Sequence, residues 1–151
     1  MNQKQLEHMD MAFFPVNILS DRCENPVGLH WAVMVVQVRE RRIGYYDSMP
    51  TYDTERQFIK MARLSELIDT YLKEKDIPLQ EWTRTAVMPP SIPMQTDGCH
   101  CALFVCAVID CISGGHVPRG YNSAIMPSYS RRLRQLLCGT RVDRVPLSQR
   151  M

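Results

Sequence analysis

Residues 30 to 48 read HWAVMVVQVRERRIGYYDS. Trp31 to Val38 is nearly all apolar and rich in valine, which predicts a strand covered on both faces. Ile43 to Tyr46 predicts a second strand, and Arg39 to Arg42 a charged turn between them, so the pair reads as a hairpin. His30 stands immediately before the first strand and Asp47 immediately after the second. The open end of such a hairpin carries both, and they become neighbours despite their distance in sequence.

On either side of this hairpin the chain alternates elements and breakers. Phe13 to Leu19 is a short apolar run that reads as a strand, and Ser20 to Gly28 reads as a loop. After it, Pro50 to Thr54 is a loop in which Thr54 and Gln57 have capping-box spacing. Phe58, Met61, Leu64, Leu67, Ile68, Tyr71 and Leu72 recur at helical spacing, and Ile77-Pro78 ends that helix. Trp82 to Met88 predicts another strand, and Pro89 to Gly98, with three prolines, a loop. From Cys101, CALFVCAVIDCIS is apolar almost all round and is closed by Gly114-Gly115, which predicts a buried helix. Ser128 to Cys138 predicts an amphipathic helix with Gly139 as its terminator. Strands, a helix, a strand and two helices make an α+β domain.

The bulk properties narrow the function. A chain of 151 residues fits one domain, and 45% hydrophobic with 23% charged residues is ordinary globular composition. A formal net charge of +2 supports neither nucleic acid nor membrane as a partner. The basic run Arg131, Arg132, Arg134, with Arg141 and Arg144 beyond it, reads as a solvated helix face. The N-terminus lacks the apolar core of a signal peptide, and no stretch reaches the roughly 18 apolar residues of a membrane span. These features predict an intracellular protein, nuclear or cytoplasmic, whose six cysteines are reduced.

Reactive groups sit where scaffolds present them, at element boundaries. Cys101 opens the apolar helix, where the positive end of the helix dipole favours a thiolate. A histidine in reach, such as His30, takes the thiol proton, and a carboxylate such as Asp47 on its other ring nitrogen sets tautomer and orientation. Gln95, six residues before Cys101, has an amide suited to a developing oxyanion, and Gly98 would let the loop turn close to the nucleophile. Singly, each residue has a plainer explanation: a structural histidine, a turn-capping aspartate, a surface glutamine, a small core cysteine. Zinc at Cys99, His100 and Cys101 is disfavoured by the spacing and the lack of a second ligand pair. A Cys99–Cys101 disulfide is disfavoured by the compartment and the tight loop. Cys106 and Cys111 read as core packing.

The ordered set resembles the SUMO-specific, or ubiquitin-like-protein-specific, cysteine proteases (Ulp-like). Its carriers are His30-Trp31, the strand AVMVVQV, Tyr45-Tyr46-Asp47-Ser48, and Gln95-Thr96-Asp97-Gly98-Cys99-His100-Cys101-Ala102-Leu103-Phe104. FFPVNI at 13 to 18 and SRRLRQLL near the end are similar to further family segments. The resemblance implies a papain-like fold: a central mixed sheet, packed helices, and the nucleophile at the N-terminus of a buried helix. It implies His30 as general base, Asp47 as its orienter, Cys101 as nucleophile and Gln95 as oxyanion donor. Trp31 and Gly98 would meet the substrate's diglycine tail. The implied activity is cleavage after that tail of a ubiquitin-like modifier (SUMO, NEDD8 or ubiquitin), from precursor or lysine conjugate, with no metal or organic cofactor. The implied organisation is a lead-in at 1–12, the protease domain at 13–145 and a tail at 146–151. Three positions depart from the family pattern: Asp97 stands for asparagine, His100 for aspartate and Ala102 for glycine. With the short lead-in, they motivate a second reading, a weak or inactive member that binds a ubiquitin-like protein without cleaving.

Overall fold

The computed structural model describes residues 11–18, 30–49, 54–74 and 81–139. The expected loop at 20–28, the helix stop at Ile77-Pro78, Cys23, Arg141 and Arg144 lie outside the described residues. So do the start of the lead-in, the tail, and the side chains of Thr54, Gln57, Leu64, Tyr71 and Leu72.

The valine-rich segment is the second strand of a four-stranded sheet. Strand β1 is Met11–Ile18, β2 His30–Gln37, β3 Arg42–Tyr46 and β4 Thr83–Val87, in the spatial order β1-β2-β3-β4. The pairs β1/β2 and β2/β3 are antiparallel and β3/β4 is parallel, so the sheet is mixed. The parallel step needs a long crossover, and helix α1 (Thr54–Lys73) lies within it. Helices α2 (Cys101–Ser113) and α3 (Met126–Leu137) follow β4.

Period-2 alternation explains why β2 is apolar throughout. Ala32, Met34 and Val36 pack with Ile43, Tyr45, Met61 and Trp82 on one face of the sheet. Val33 and Val35 pack on the other face with Phe104, Val105, Ala107, Val108 and Cys111 of α2, and with Met126 and Tyr129 of α3. The sheet is thus the middle layer of three, the α+β architecture that the element order predicted. A Phe104–Tyr121 ring contact at 5.5 Å, edge to face, closes the α2 side.

Two expectations about burial are corrected. Helix α2 is buried along one stripe only: Ala102 is exposed, and Leu103, Cys106, Ile109 and Ile112 are half-buried. The helix lies on one face of the sheet, and a single α-helix can offer a sheet only one stripe. On α1, Met61 and Ile68 reach the core, but Phe58 and Leu67 are exposed. The inward line instead runs through Ser65, which is fully buried and accepts hydrogen bonds from Arg84. Asp69, one turn on, accepts the Trp82 indole N–H. Helix α1 docks on β4 by polar anchors as well as by apolar contact.

The ends of α2 and α3 follow their predicted signals. Gly115 (φ 75°) and Gly139 (φ 71°) take the left-handed conformation just past the two helices, a shape glycine adopts without a Cβ clash.

Candidate active site

The hairpin register explains how His30 meets Asp47. Val33 pairs with Tyr46, so one further step sets Asp47 level with Ala32. His30 lies two residues along from Ala32, on the same face, as a diagonal neighbour. Its Nε2 stands 2.6 Å from Asp47 Oδ1. Asp47 has no exposed surface, and its carboxylate is held by two further donors. The Met49 backbone N–H donates to Oδ1 at 2.9 Å and the Tyr45 hydroxyl to Oδ2 at 3.1 Å. Burial, and then the Asp47 carboxylate, push the Tyr45 hydroxyl far above its ordinary value, so Tyr45 remains a neutral donor. With Nε2 committed to Asp47, the His30 Nδ1 is left buried, without a hydrogen bond among the described residues.

Gln95 is brought to the same end of the sheet. Its N–H donates to the Ser48 carbonyl at 2.8 Å, and the Ser48 hydroxyl donates to Gln95 Oε1 at 3.3 Å. Ser48 directly follows Asp47, so the loop before α2 is tied to the end of β3. The Gln95 amide nitrogen donates to the Asp97 carbonyl at 2.6 Å and lies 3.4 Å from Asp97 Oδ1.

Asp97 shapes the last turn before the helix. Its Oδ1 accepts the Cys99 N–H at 3.0 Å and the His100 N–H at 2.9 Å, an Asx-type turn. The Ser123 hydroxyl, the His100 ring and the Cys99 N–H hold the Asp97 carboxyl well below the usual carboxylate range. His100 is the N-cap residue, and its carbonyl accepts the N–H groups of Leu103 and Phe104. Cys101 therefore begins α2, as expected, and is half-buried. Cys99 is exposed, and its hydrogen bond to Asp97 pushes the thiol up. Because His30 Nδ1 has no hydrogen bond, none joins it to Cys101 Sγ.

The structure thus joins His30 directly to Asp47, and Gln95 to the segment just after Asp47. Trp31, beside His30, is 36% exposed, and Met49 and Met94, near Asp47 and Gln95, are 36% and 50% exposed. Gly98 differs from expectation. A Cβ built there meets nothing within 4 Å, and its φ is not positive, so the glycine relieves no crowding inside the chain. Ala102 points outward, and its methyl does not intrude on the core. Three contributors escaped the sequence reading: the Tyr45 hydroxyl, Ser48 and the Asp97 turn. Tyr45 lies two residues from Asp47 on the same strand face, and Asp-Gly is a turn signal, so two of the three had a visible cue.

The sequence profile of the Ulp1 protease family, C-terminal catalytic domain, matches residues 1–142. The chain belongs to the Ulp1 protease family. Among its relatives, Sentrin-specific protease 2 of Homo sapiens is 29% identical over 112 residues, 70% of this chain and 18% of that protein. NEDD8-specific protease 1 of Schizosaccharomyces pombe is 27% identical over 104 residues, 69% of this chain and 22% of that protein. The solved C-terminal Ulp1 protease domain, in complex with Smt3, the yeast ortholog of SUMO, superposes with a TM-score of 0.67 at 19% identity. That match covers 89% of this chain and 54% of that one. A structure of SUMO protease Ulp1 with its catalytic cysteine oxidised to a sulfenic acid gives the same TM-score of 0.67 at 19% identity. The fold of this Ulp1-family chain is therefore the papain-like α+β fold. The chain spans 18% and 22% of the two curated relatives' lengths and about half of the solved domain.

Proposed function

We propose that this chain is a thiol peptidase domain that cleaves after the diglycine tail of a ubiquitin-like modifier. The observation that carries the reading is the His30 Nε2–Asp47 Oδ1 contact of 2.6 Å, with Nδ1 buried and free to receive a proton. His30 Nδ1 takes the proton of Cys101 Sγ. The thiolate attacks the carbonyl carbon of the terminal glycine, and the Gln95 amide stabilises the oxyanion. That role requires Gln95 to turn a donor away from Asp97. The C–N bond then breaks, and the leaving amine takes the proton from His30. Water, with His30 as base, cleaves the thioester and releases the glycine carboxylate and the Cys101 thiol. Trp31, Met49 and Met94 supply exposed apolar surface around the site, and the open space at Gly98 suits an extended glycine tail. The printed names of the relatives favour SUMO or NEDD8 as the modifier. Free thiols at Cys99, Cys101, Cys106, Cys111 and Cys138 suit an intracellular setting. No helix among the described residues is long and apolar enough to cross a membrane.

The test is labelling by modifiers that carry an electrophile after the diglycine, across SUMO, NEDD8 and ubiquitin. The wild-type chain and Cys99→Ala are expected to label, and Cys101→Ala is not. Labelling that survives Cys101→Ala but not Cys99→Ala would overturn the assignment. A second reading, a module that binds the modifier without cleaving, is favoured by one observation: the Gln95 amide is occupied by Asp97. Saturable modifier binding with no labelling of Cys101 would select it.

A further inference from the structure

The turn ahead of α2 gathers three metal-ligand types that the proposed mechanism does not use. The donor atoms of Asp97, Cys99 and His100 all lie within 4.8 Å of one another. Cys99 Sγ stands 3.5 Å from Asp97 Oδ1 and 3.9 Å from His100 Nδ1, and that nitrogen stands 3.0 Å from Asp97 Oδ2. Zinc bonds of roughly 2.3 Å to sulfur and 2.0–2.1 Å to nitrogen or oxygen give tetrahedral edges of about 3.5 Å from S to N or O, and about 3.3 Å from N to O. The sulfur–nitrogen separation and the two contacts to Asp97 lie within a few tenths of an ångström of those lengths, but the two Asp97 contacts are to different carboxylate oxygens, so ligation through one oxygen requires the carboxylate to turn.

The arrangement is also preorganised and accessible. Asp97 Oδ1 binds the backbone N–H groups of Cys99 and His100, which draws all three side chains to one side of the turn. Asp97 Oδ2 is shielded from solvent, and His100 Nδ1 stands 3.0 Å from it. Cys99 is exposed, and Asp97 and His100 are each 26% exposed at the side chain, so an ion can enter and leave. Thiolate with imidazole and one carboxylate suits zinc-class ions over magnesium or calcium. Three protein ligands leave the fourth position for water.

We propose that Asp97, Cys99 and His100 form an exchangeable binding site for a zinc-class divalent cation, with water completing the shell. On binding, Cys99 releases its proton to solvent and forms the sulfur–metal bond; no electrons are transferred. Cys101 follows His100 directly, so a bound cation stands beside the proposed nucleophile. The consequence, slower alkylation of Cys101 and slower cleavage when zinc is bound, rests on the protease reading; the site itself does not.

The test titrates the whole chain with Co2+ alone and reads the thiolate-to-metal charge-transfer band. Cys99→Ala, His100→Ala and Asp97→Asn are compared with wild type, and Cys101→Ala and Cys138→Ala serve as sulfur controls. Asparagine at 97 keeps an acceptor for the two backbone N–H groups, so the turn survives while the charge is lost. Wild type is expected to bind one equivalent. The three site variants are expected to weaken binding by more than roughly tenfold, the lower end of what loss of even a supporting group costs. The two controls are expected to keep the band. Absence of the band from wild type, its full strength in Cys99→Ala or His100→Ala, or its loss in Cys101→Ala would each overturn the assigned ligand set. If the diglycine probe fails to label Cys101 while the cobalt pattern holds, the protease reading falls and the metal site stands.

Discussion

Replacing Asp47 by asparagine separates the two things the carboxylate does. In the proposed mechanism it sets the His30 tautomer, and its charge stabilises the imidazolium that would form when Cys101 gives up its proton. The structure predicts which of these asparagine loses. Asp47 Oδ1 accepts both His30 Nε2 and the Met49 backbone N–H, which has no acceptor if an NH2 group takes that place. Oδ2 faces the Tyr45 hydroxyl, which can rotate to accept. The amide oxygen therefore takes the Oδ1 position, the tautomer is kept, and only the charge is lost. A charge-assisted hydrogen bond contributes about 1.5–3 kcal/mol, and each tenfold in rate is about 1.4 kcal/mol. The expected fall in kcat is thus about tenfold to somewhat over a hundredfold, with little change in KM. In a serine triad where asparagine reverses the tautomer, the loss is about 10⁴. Asp47→Ala removes orientation as well as charge and is expected to approach that larger figure. The assay is steady-state hydrolysis of a modifier with a fluorogenic group after the diglycine, with thermal unfolding to confirm that the variants fold. An Asp47→Asn loss as large as that of Asp47→Ala would refute the argument from the Met49 N–H. An unchanged rate would refute the role of the charge.

Phe104, 1% exposed and stacked edge to face on Tyr121, is expected to cost roughly 3–5 kcal/mol when changed to alanine, read by denaturant unfolding. Leu137→Ala, at an 88% exposed position, is expected to stay within about 0.5 kcal/mol in the same assay. Gly98→Ala meets open space, so its unfolding midpoint is expected to match wild type while diglycine cleavage slows; unaltered kinetics would remove Gly98 from the substrate path. Burial raises the hydroxyls of Tyr45, Tyr121 and Tyr129, so their contribution to stability is complete below the ordinary tyrosine value of about 10. Above it the unfolded chain loses protons that the folded chain keeps, so stability falls as pH rises beyond about 10. Chemical unfolding at stepped alkaline pH checks this, and a flat profile would contradict it.

Much of the frame could be read from the chain because it rests on local rules. Valine-rich β2, the charged turn and β3 form the expected hairpin, and its open end does carry His30 against Asp47. The start of α2 at Cys101 and the stop of α3 at Gly139 follow from a polar-to-apolar change and from a glycine. The readings that failed needed knowledge of neighbours. An apolar stretch predicts a buried helix but does not say how many of its sides are covered, and on α2 one stripe is. Spacing on α1 could not show that Ser65, rather than Phe58 or Leu67, faces the sheet, because Arg84 is contributed by a strand far along the chain.

By itself, then, the sequence determined the elements, their order and the residue types fit for thiol chemistry, since strand period, helix caps and turn residues act over a few positions. Tertiary structure alone decided which atoms meet. Sheet register brings the His30 ring within hydrogen-bond reach of Asp47. The tie between Gln95 and Ser48 sets where the loop before α2 runs. These outcomes depend on three-dimensional approach between segments, and spacing along a chain does not specify the distance or direction of that approach.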